Sequence, residues 1–371
     1  MLKRLLAVFT AMLLTLATFA FAAELRGDHP STYTVRKGDT LWEISARFLK
    51  KPWLWPEIWQ ANPQVKNPHL IYPGDVLSLV YIDGRAQISG PQVHSGDPIE
   101  TIPLSRIEPF LKQLTIVNDV KSLPYVIGLE EQRLLNSSGQ VVYVRGLSNA
   151  TPGQQVQLMR PINSYYRGAR YTHRNALDFR GDEFHRDWAT YWSDVGGGES
   201  SGRGYAGTEL MLHSTGEVTQ VQGEVAVVLL RQEVRDVRVG DRVLPLDTAP
   251  YDAQFMPTAP TSVAGDAHIL AVSDGVIETG PYNVVALSVG ASDNVRNGMT
   301  FSVWHQGEMT PDVVRHRNLL AAKGDKVDIP DEFNGHVMVF RTFDKVSYGL
   351  VMDGIRPIKI GDVLKHPDAT Q

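Results

Sequence analysis

The chain has 371 residues, 43% hydrophobic and 21% charged, which is enough for about two or three domains with buried cores. Its formal net charge of −5 argues against a nucleic-acid-binding protein and gives no support for electrostatic binding to anionic lipid. The absence of cysteine excludes disulfides, cysteine nucleophiles and thiolate metal ligands.

The first residues have the features of an export signal. Two basic residues precede an uncharged run from Leu5 to Phe21, and Ala20 and Ala22 supply the small residues of a cleavage site. The run is shorter than the roughly 20 residues that a membrane-spanning helix needs. We therefore expect residues 1–22 to be a cleaved signal peptide, rather than a retained anchor, and the product to be periplasmic.

Residues 31–82 are typical of a small βααβ module. The β-branched and aromatic residues from Tyr33 to Arg36 predict a strand. Thr40 and Glu43 have the spacing of a capping box, which predicts a helix start. Pro56 suits the first turn of a second helix, and a last strand follows Gly74.

This order and these residues resemble the LysM domain of cell-wall proteins. The resemblance implies binding to N-acetylglucosamine in peptidoglycan or chitin-like glycans. It covers nearly the whole module and is carried by Tyr33-Thr34-Val35, Lys37-Gly38-Asp39-Thr40-Leu41-Trp42, Asn62-Pro63 and Ile71-Tyr72-Pro73-Gly74.

The resemblance also implies a place for the sugar, between the loop after the first strand and the loop before the last. Leu41 and Ile71 can cover the acetyl methyl group, while backbone groups pair with the amide. The alternative is that the polar and glycine residues only shape turns and a cap. Matched by position, the two loops are Gly38, Asp39, Thr40 and Leu41, facing Leu70, Ile71, Tyr72 and Pro73.

Tryptophan is concentrated between the two predicted helices. Four of the seven tryptophans lie from Trp42 to Trp59, where a typical LysM domain has a shorter, less aromatic link. Trp53, Trp55 and Trp59 can form a stacking platform for sugars or a partner, or can pack this longer loop onto the helices. We favour packing.

The segment after the module is predicted to be a linker at 83–100, followed by a β-rich region at 101–210. The apolar spacing predicts a short helix over 105–114. Strands are predicted at 141–144 and 155–159. A polar, glycine-rich insertion is expected over 164–208.

Residues 211–371 contain repeated patterns. Residues 216–241 align with 335–362, because each has two strands followed by a Gly-Asp pair, and 284–301 is a looser third copy. Short strands separated by such turns indicate small barrels or sandwiches. We expect Gly240 and Gly361 to provide turns with unusual backbone angles, a structural role. The predicted fold class is a LysM module followed by a mostly-β region.

This β-rich part resembles the flagellar T-ring-protein-like domain of the type IV pilus secretin-associated protein family. The resemblance implies a protein that holds the outer-membrane secretin of the pilus machine to peptidoglycan. A symmetric partner would favour a ring-like homo-oligomer around it. A flagellar basal-body partner is an alternative. The motifs are Val142-Tyr143-Val144-Arg145-Gly146, Val239-Gly240-Asp241-Arg242-Val243-Leu244-Pro245 and Val337-Met338-Val339-Phe340-Arg341-Thr342-Phe343 with Ser347-Tyr348.

Enzyme signatures are weak. No H-E-x-x-H motif is present. Glu199-Ser200 follows three glycines, unlike a catalytic glutamate on a buried helix. We therefore expect no catalytic residue, metal or cofactor, the alternative being a wall-remodelling enzyme or its activator. The densest polar cluster matches no metal-ligand spacing and is expected to be a solvated loop: His173, Asp178, Asp182, Glu183, His185 and Asp187.

Overall fold

The structure is a computed structural model, and its described residues fall into two compact units, Met1–Ile102 and Pro103–Gln371. No helix in these ranges is long and apolar enough to cross a bilayer. The described residues are 24–56, 71–82, 85–89, 99, 102–130, 139–147, 149–167, 176–177, 204–247, 255–273, 278–307, 309–312, 314–315 and 326–370.

In the described part of the first unit, a helix and a 3₁₀ turn accompany a three-stranded antiparallel sheet, in the order β1-β2-β3. Thr40 caps the helix in the predicted capping box, since its hydroxyl accepts the N–H of Glu43 and the Glu43 carboxylate accepts the N–H of Thr40. The elements are β1 (Thr32–Thr34), α1 (Leu41–Phe48), the 3₁₀ turn (Pro52–Leu54), β2 (Val76–Ile82) and β3 (Arg85–Ser89).

The structure differs from the prediction after β2. Part of the expected linker is the strand β3, which pairs antiparallel with β2 from Ser78↔Ser89 to Ile82↔Arg85. The linker is predicted from residue 83 because Asp83-Gly84 is a turn signal, although Asp-Gly between two strands is also a hairpin signal. Trp55 and Pro56 are helical, and the rest of the predicted second helix lies outside the described residues.

The second unit begins with a helix, and its next strands close into a six-stranded barrel. The ring runs β5-β6-β10-β9-β7-β11 and returns to β5, with β4 added to β9 outside it. Valine and leucine side chains fill the interior. The elements are α2 (Leu104–Lys112), β4 (Leu114–Val117), β5 (Tyr125–Leu129), β6 (Val141–Arg145), β7 (Gln155–Tyr166), β8 (Ala176–Leu177), β9 (Tyr205–Gln222), β10 (Val225–Glu233) and β11 (Arg242–Pro245).

A second barrel follows, with the ring β12-β14-β19-β18-β15-β21. It is closed between β21 and the start of β12, where Ile269 N–H donates to the Asp362 carbonyl at 2.9 Å and Leu364 N–H donates to that of Ala267 at 2.8 Å. The elements are β12 (Ile269–Ser273), β13 (Glu278–Thr279), β14 (Val284–Leu287), β15 (Thr300–His305), β16 (Met309–Pro311), β17 (Lys326–Asp328), β18 (Glu332–Thr342), β19 (Ser347–Gly354), β20 (Ile358–Lys359) and β21 (Val363–Lys365).

The two barrels have the same topology. If the barrel strands are numbered one to six along the chain, both rings run 1-2-5-4-3-6. The aligned segments 216–241 and 335–362 are the fourth and fifth strands and the turn before the sixth, in the first and second barrel respectively. The predicted repeat is therefore a repeat of two complete barrels.

Gly-Asp turns connect these parts, and four in the described residues share one geometry. Each glycine has φ between 90° and 98°, the left-handed value that a type II turn needs at its third residue. Each aspartate carboxylate accepts the N–H of the residue three positions earlier at 2.8 Å. The turns predicted at Gly240-Asp241 and Gly361-Asp362 are confirmed, and Gly38-Asp39 and Gly74-Asp75 have the same geometry.

The buried carboxylates of the last two turns have different partners. Asp241 receives Nε and Nη2 of Arg160 at 2.8 and 3.0 Å, whereas Asp362 receives the ring Nδ1 of His305 at 2.8 Å. Arg160 and His305 each lie seven residues after the glycine that leads into the third barrel strand, Gly153 or Gly298. The same position thus carries a guanidinium group in one barrel and an imidazole ring in the other.

Strands β7 and β9 extend beyond the first barrel and contact the second barrel together with α2. Phe110 of α2 packs edge-on against Phe340 and Tyr348, with ring centroids 6.3 and 5.6 Å away. Arg341 Nη1 donates to the carbonyls of Phe110 and Leu111 in the last turn of α2 and to that of Leu114, which begins β4. A cation is favourable there because the helix dipole places negative partial charge at that end.

Three predicted boundaries change. The helix is 104–112 rather than 105–114, because Leu114 begins β4. The insertion predicted at 164–208 is narrower, since β7 runs to Tyr166 and β9 begins at Tyr205. The predicted division between 210 and 211 falls inside β9, a strand of the first barrel. Because β9 continues without a break from the barrel into its extension, the sequence has no turn signal there.

Candidate functional site

Two backbone hydrogen bonds connect the loops that are predicted to hold a sugar. The Gly74 N–H donates to the Val35 carbonyl, and the Val35 N–H donates to the Asp75 carbonyl, both at 2.8 Å. These bonds continue the pairing of β1 with β2, in which Thr34 lies opposite Val76. The chain leaving β1 and the turn entering β2 are therefore adjacent.

The first loop is a turn followed by a helix cap. Oδ2 of Asp39 accepts both the Arg36 N–H and the Tyr33 hydroxyl at 2.8 Å, so this carboxylate holds the turn together. Burial and the nearby Asp39 carboxylate raise the pKa of Tyr33, which keeps the hydroxyl protonated as a donor. Gly38 is exposed with φ 93°, and a Cβ placed there would meet no atom within 4 Å. The open surface of this loop is therefore at Gly38.

The second loop has the same construction. Oδ2 of the buried Asp75 accepts the Tyr72 N–H at 2.8 Å, and Gly74 has φ 98°. Pro73 and Gly74 are exposed, and Tyr72 is half-buried. Leu70, the remaining predicted residue, lies outside the described residues.

The two side chains predicted to cover the acetyl methyl group lie in the core. Leu41 is 0% exposed and Ile71 is 1% exposed, and Thr40 is also buried as the helix cap. A ligand at these loops would therefore meet the exposed or half-buried residues Gly38, Tyr72 and Pro73, here called the rim, and not the buried apolar pair. The role of the eight residues in binding stays a prediction.

The tryptophans pack inward, as we favoured. Trp42, Trp53 and Trp55 are 2%, 5% and 0% exposed, so their ring faces are not available as a platform. They join Ile44 and Phe48 of α1 among the buried residues. Trp59 lies outside the described residues.

Comparison with known proteins classifies this module. Its sequence matches the LysM domain over residues 33–80. Residues 33–80 are a LysM domain. The LysM domain supports binding of peptidoglycan or a related carbohydrate, and the match includes both loops described above.

One curated relative also aligns with part of the chain. The "Uncharacterized protein YqbP" of Bacillus subtilis (strain 168) is 37% identical over 60 residues, which is 14% of this chain and 27% of that protein. The chain thus spans about a quarter of this relative's length.

The side-chain bonds that hold the LysM loops were not predicted. Tyr33 is part of the predicted strand and of the LysM signature, and its hydroxyl also donates to Asp39. The repeated Gly-Asp dipeptide could have predicted this role of the aspartates, since Gly38-Asp39 and Gly74-Asp75 repeat the pairs at Gly240-Asp241 and Gly361-Asp362.

Other candidate chemistry lies elsewhere in the chain. Across the described ranges, no group of three or more histidine, aspartate or glutamate side chains is arranged to hold a metal ion. The polar cluster from His173 to Asp187 and the Glu199-Ser200 pair lie outside the described residues.

Proposed function

We propose that this chain is an exported, non-catalytic protein that anchors an outer-membrane assembly, the type IV pilus secretin, to the cell wall. The LysM domain would hold N-acetylglucosamine-containing glycan strands, and the tandem barrels would dock onto the secretin. The observation that carries the proposal is the LysM match over 33–80, with its two loops joined at Val35 and Gly74.

The rim of the LysM domain favours a glycan ligand. Exposed turns around Gly38 and Pro73 present main-chain donors and acceptors, the groups that an N-acetyl amide pairs with. Each such hydrogen bond contributes about 0.5–1.5 kcal/mol net. A single domain should therefore bind weakly, and several copies on one sacculus would gain from avidity.

Sedimentation with purified sacculi tests the first half of the proposal. Tyr72→Ala removes a half-buried ring from the rim and is expected to lower the bound fraction several-fold. Thr34→Ala, an exposed position on β1, is the matched control and should leave binding unchanged. Leu41 and Ile71 are unsuitable for this test, because replacing a buried side chain unfolds rather than probes the site.

Titration with chitin oligomers and muropeptides gives the same test at residue resolution. Amide resonances of residues 36–41 and 71–75 should move. If the wild-type protein stays in the supernatant and those resonances stay still, the glycan proposal fails.

The second half rests on the resemblance of the β-rich part to the secretin-associated family. Crosslinking in cells, followed by identification of the captured envelope protein, tests it. Capture of the secretin, with loss of twitching on deletion, is expected. Capture of a basal-body protein with loss of swimming would favour the flagellar alternative. A clearing band in a zymogram would favour a wall-remodelling enzyme.

A further inference from the structure

The first barrel reaches the second through the connection between its third and fourth strands. In that connection, β8 pairs in parallel with β12 through Ala176↔Val272 and Leu177↔Ser273. Strand β12 is the first strand of the second barrel, and β8 lies on the side of it opposite β14. One barrel thus adds a strand to the free end of the next barrel's first strand.

The second barrel also has additional strands in the connection between its third and fourth strands. Between β15 and β18, strands β16 and β17 form an antiparallel ribbon, here called the arm, through Met309↔Asp328, Thr310↔Val327 and Pro311↔Lys326. Within the described chain, the arm strands pair only with each other. Met309 is 61% exposed and Val327 is 50% exposed, so the arm presents apolar side chains to solvent.

The first barrel has the matching free edge. Val126 is the equivalent of Ile269, because each exchanges two backbone hydrogen bonds with a Gly-Asp turn. Beyond Val126, no described strand pairs with β5 on the side opposite β6, since β11 meets β5 only at Arg242↔Tyr125. By the equivalence of Val126 with Ile269, this free segment, Ile127–Leu129, corresponds to Leu270–Val272, and β8 covers β12 from Val272 onward.

The surroundings of this edge are apolar. Ile127 is 45% exposed, Val239 beside the Gly240 turn is 41% exposed, and Tyr143 lies opposite Gly128 at 38% exposure. An exposed apolar edge strand is a template for pairing with another chain.

We propose that the arm of one copy adds to the β5 edge of a second copy, repeating between molecules the contact that joins the two barrels within one. The occupant is a second copy because the same fold already makes the equivalent contact in its own chain. Main-chain hydrogen bonds would provide affinity, and Ile127 and Val327 would provide apolar contact. The inference rests on the barrels alone and stands apart from the glycan and secretin proposals.

Such a contact is heterologous, since different surfaces of the two copies meet. Heterologous contacts build closed rings when the rotation closes and open filaments when it does not. Repeated addition is therefore expected, rather than a dimer that stops at two copies.

Cysteine pairing between two single variants tests the proposal. The chain has no native cysteine, so Ile127→Cys and Val327→Cys, carried on differently tagged full-length chains, provide a clean background. Mixed under mild oxidation, they should give a disulfide-linked heterodimer, which cannot arise within one chain. Ile355→Cys, at a position that is 73% exposed on the second barrel, replaces Ile127→Cys in the control mixture and should not crosslink.

A second variant measures the association itself. Ile127→Asp places a charge on the exposed edge and is expected to weaken concentration-dependent self-association in sedimentation velocity by about tenfold or more, without changing thermal unfolding. Absence of the mixed heterodimer overturns the proposal, as does equal crosslinking with Ile355→Cys. Preferential pairing of Ile127→Cys with itself would also overturn it, because that indicates a symmetric contact.

Discussion

Glu209 is a buried carboxyl group at the contact between the extended strands and the second barrel. It is 1% exposed on β9, it accepts the hydroxyl of Tyr348 from β19, and Tyr165 of β7 is buried beside it. Burial raises the pKa of Glu209 from 4.5 to about 7. Burial and the neighbouring Glu209 carboxylate raise the pKa values of Tyr165 and Tyr348. Glu209 is therefore protonated in the folded protein at mildly acidic pH.

The replacement Glu209→Gln removes this titration while keeping an oxygen that can accept the Tyr348 hydroxyl. Because the folded-state pKa is raised, the contribution of Glu209 to stability is fully present below about pH 4.5 and is lost as pH rises through about 7. At about 1.4 kcal/mol per pH unit, the difference between 4.5 and 7 corresponds to about 3 kcal/mol. The variant should lose none of this stability as pH rises.

Urea unfolding of the wild-type protein and the variant between pH 5 and 8 measures the effect. The free energy of unfolding of Glu209→Gln, relative to wild type, should rise by about 2–3 kcal/mol over this range. Glu217→Gln, on the same strand but paired with Arg231 at the surface, is the matched control and should show no comparable rise. A constant difference between Glu209→Gln and wild type across the range would refute the reasoning.

Four other single substitutions test the turns and caps by chemical unfolding. Arg160→Met leaves the buried Asp241 without its bidentate partner and should cost about 3–5 kcal/mol, whereas the double variant with Asp241→Asn should recover part of the loss. Thr40→Ala removes the helix cap and should cost the LysM domain about 1 kcal/mol, with an unchanged value contradicting the cap's role. Gly153→Ala and Gly298→Ala impose the same backbone strain at φ 90°, about 1–2 kcal/mol. Only at Gly298 would the added Cβ overlap a backbone oxygen, that of Met256, so Gly298→Ala should lose about 1–3 kcal/mol more stability. Equal losses in the two variants would contradict this packing.

Much of the LysM domain could be predicted because its signals are local. The capping box at Thr40 and Glu43 depends on spacing within one turn, and the structure has both hydrogen bonds. The inward packing of Trp53 and Trp55 followed from their place between the helices. The depth of Leu41 could not be predicted, because a motif identifies a residue type and not its accessibility.

The barrels were less predictable, because their closure depends on long-range pairing. The sequence alignment found the fourth and fifth strands in both barrels, where the pattern is compact. Closure requires Val126 to meet Gly240 and Ile269 to meet Gly361, contacts between residues about a hundred positions apart. Glu209 and Tyr348, 139 residues apart, were missed for the same reason.

The three carbonyl groups held by Arg341 decide how a mechanical load enters the second unit. Tension applied at Pro103 passes into α2, and Arg341 ties the far end of that helix to β18 of the second barrel. Burial of the guanidinium makes each of these bonds costly to break. Traction at the start of the unit is thus transmitted directly to the barrel that comes last in the chain, so the first barrel need not unravel before the second bears load.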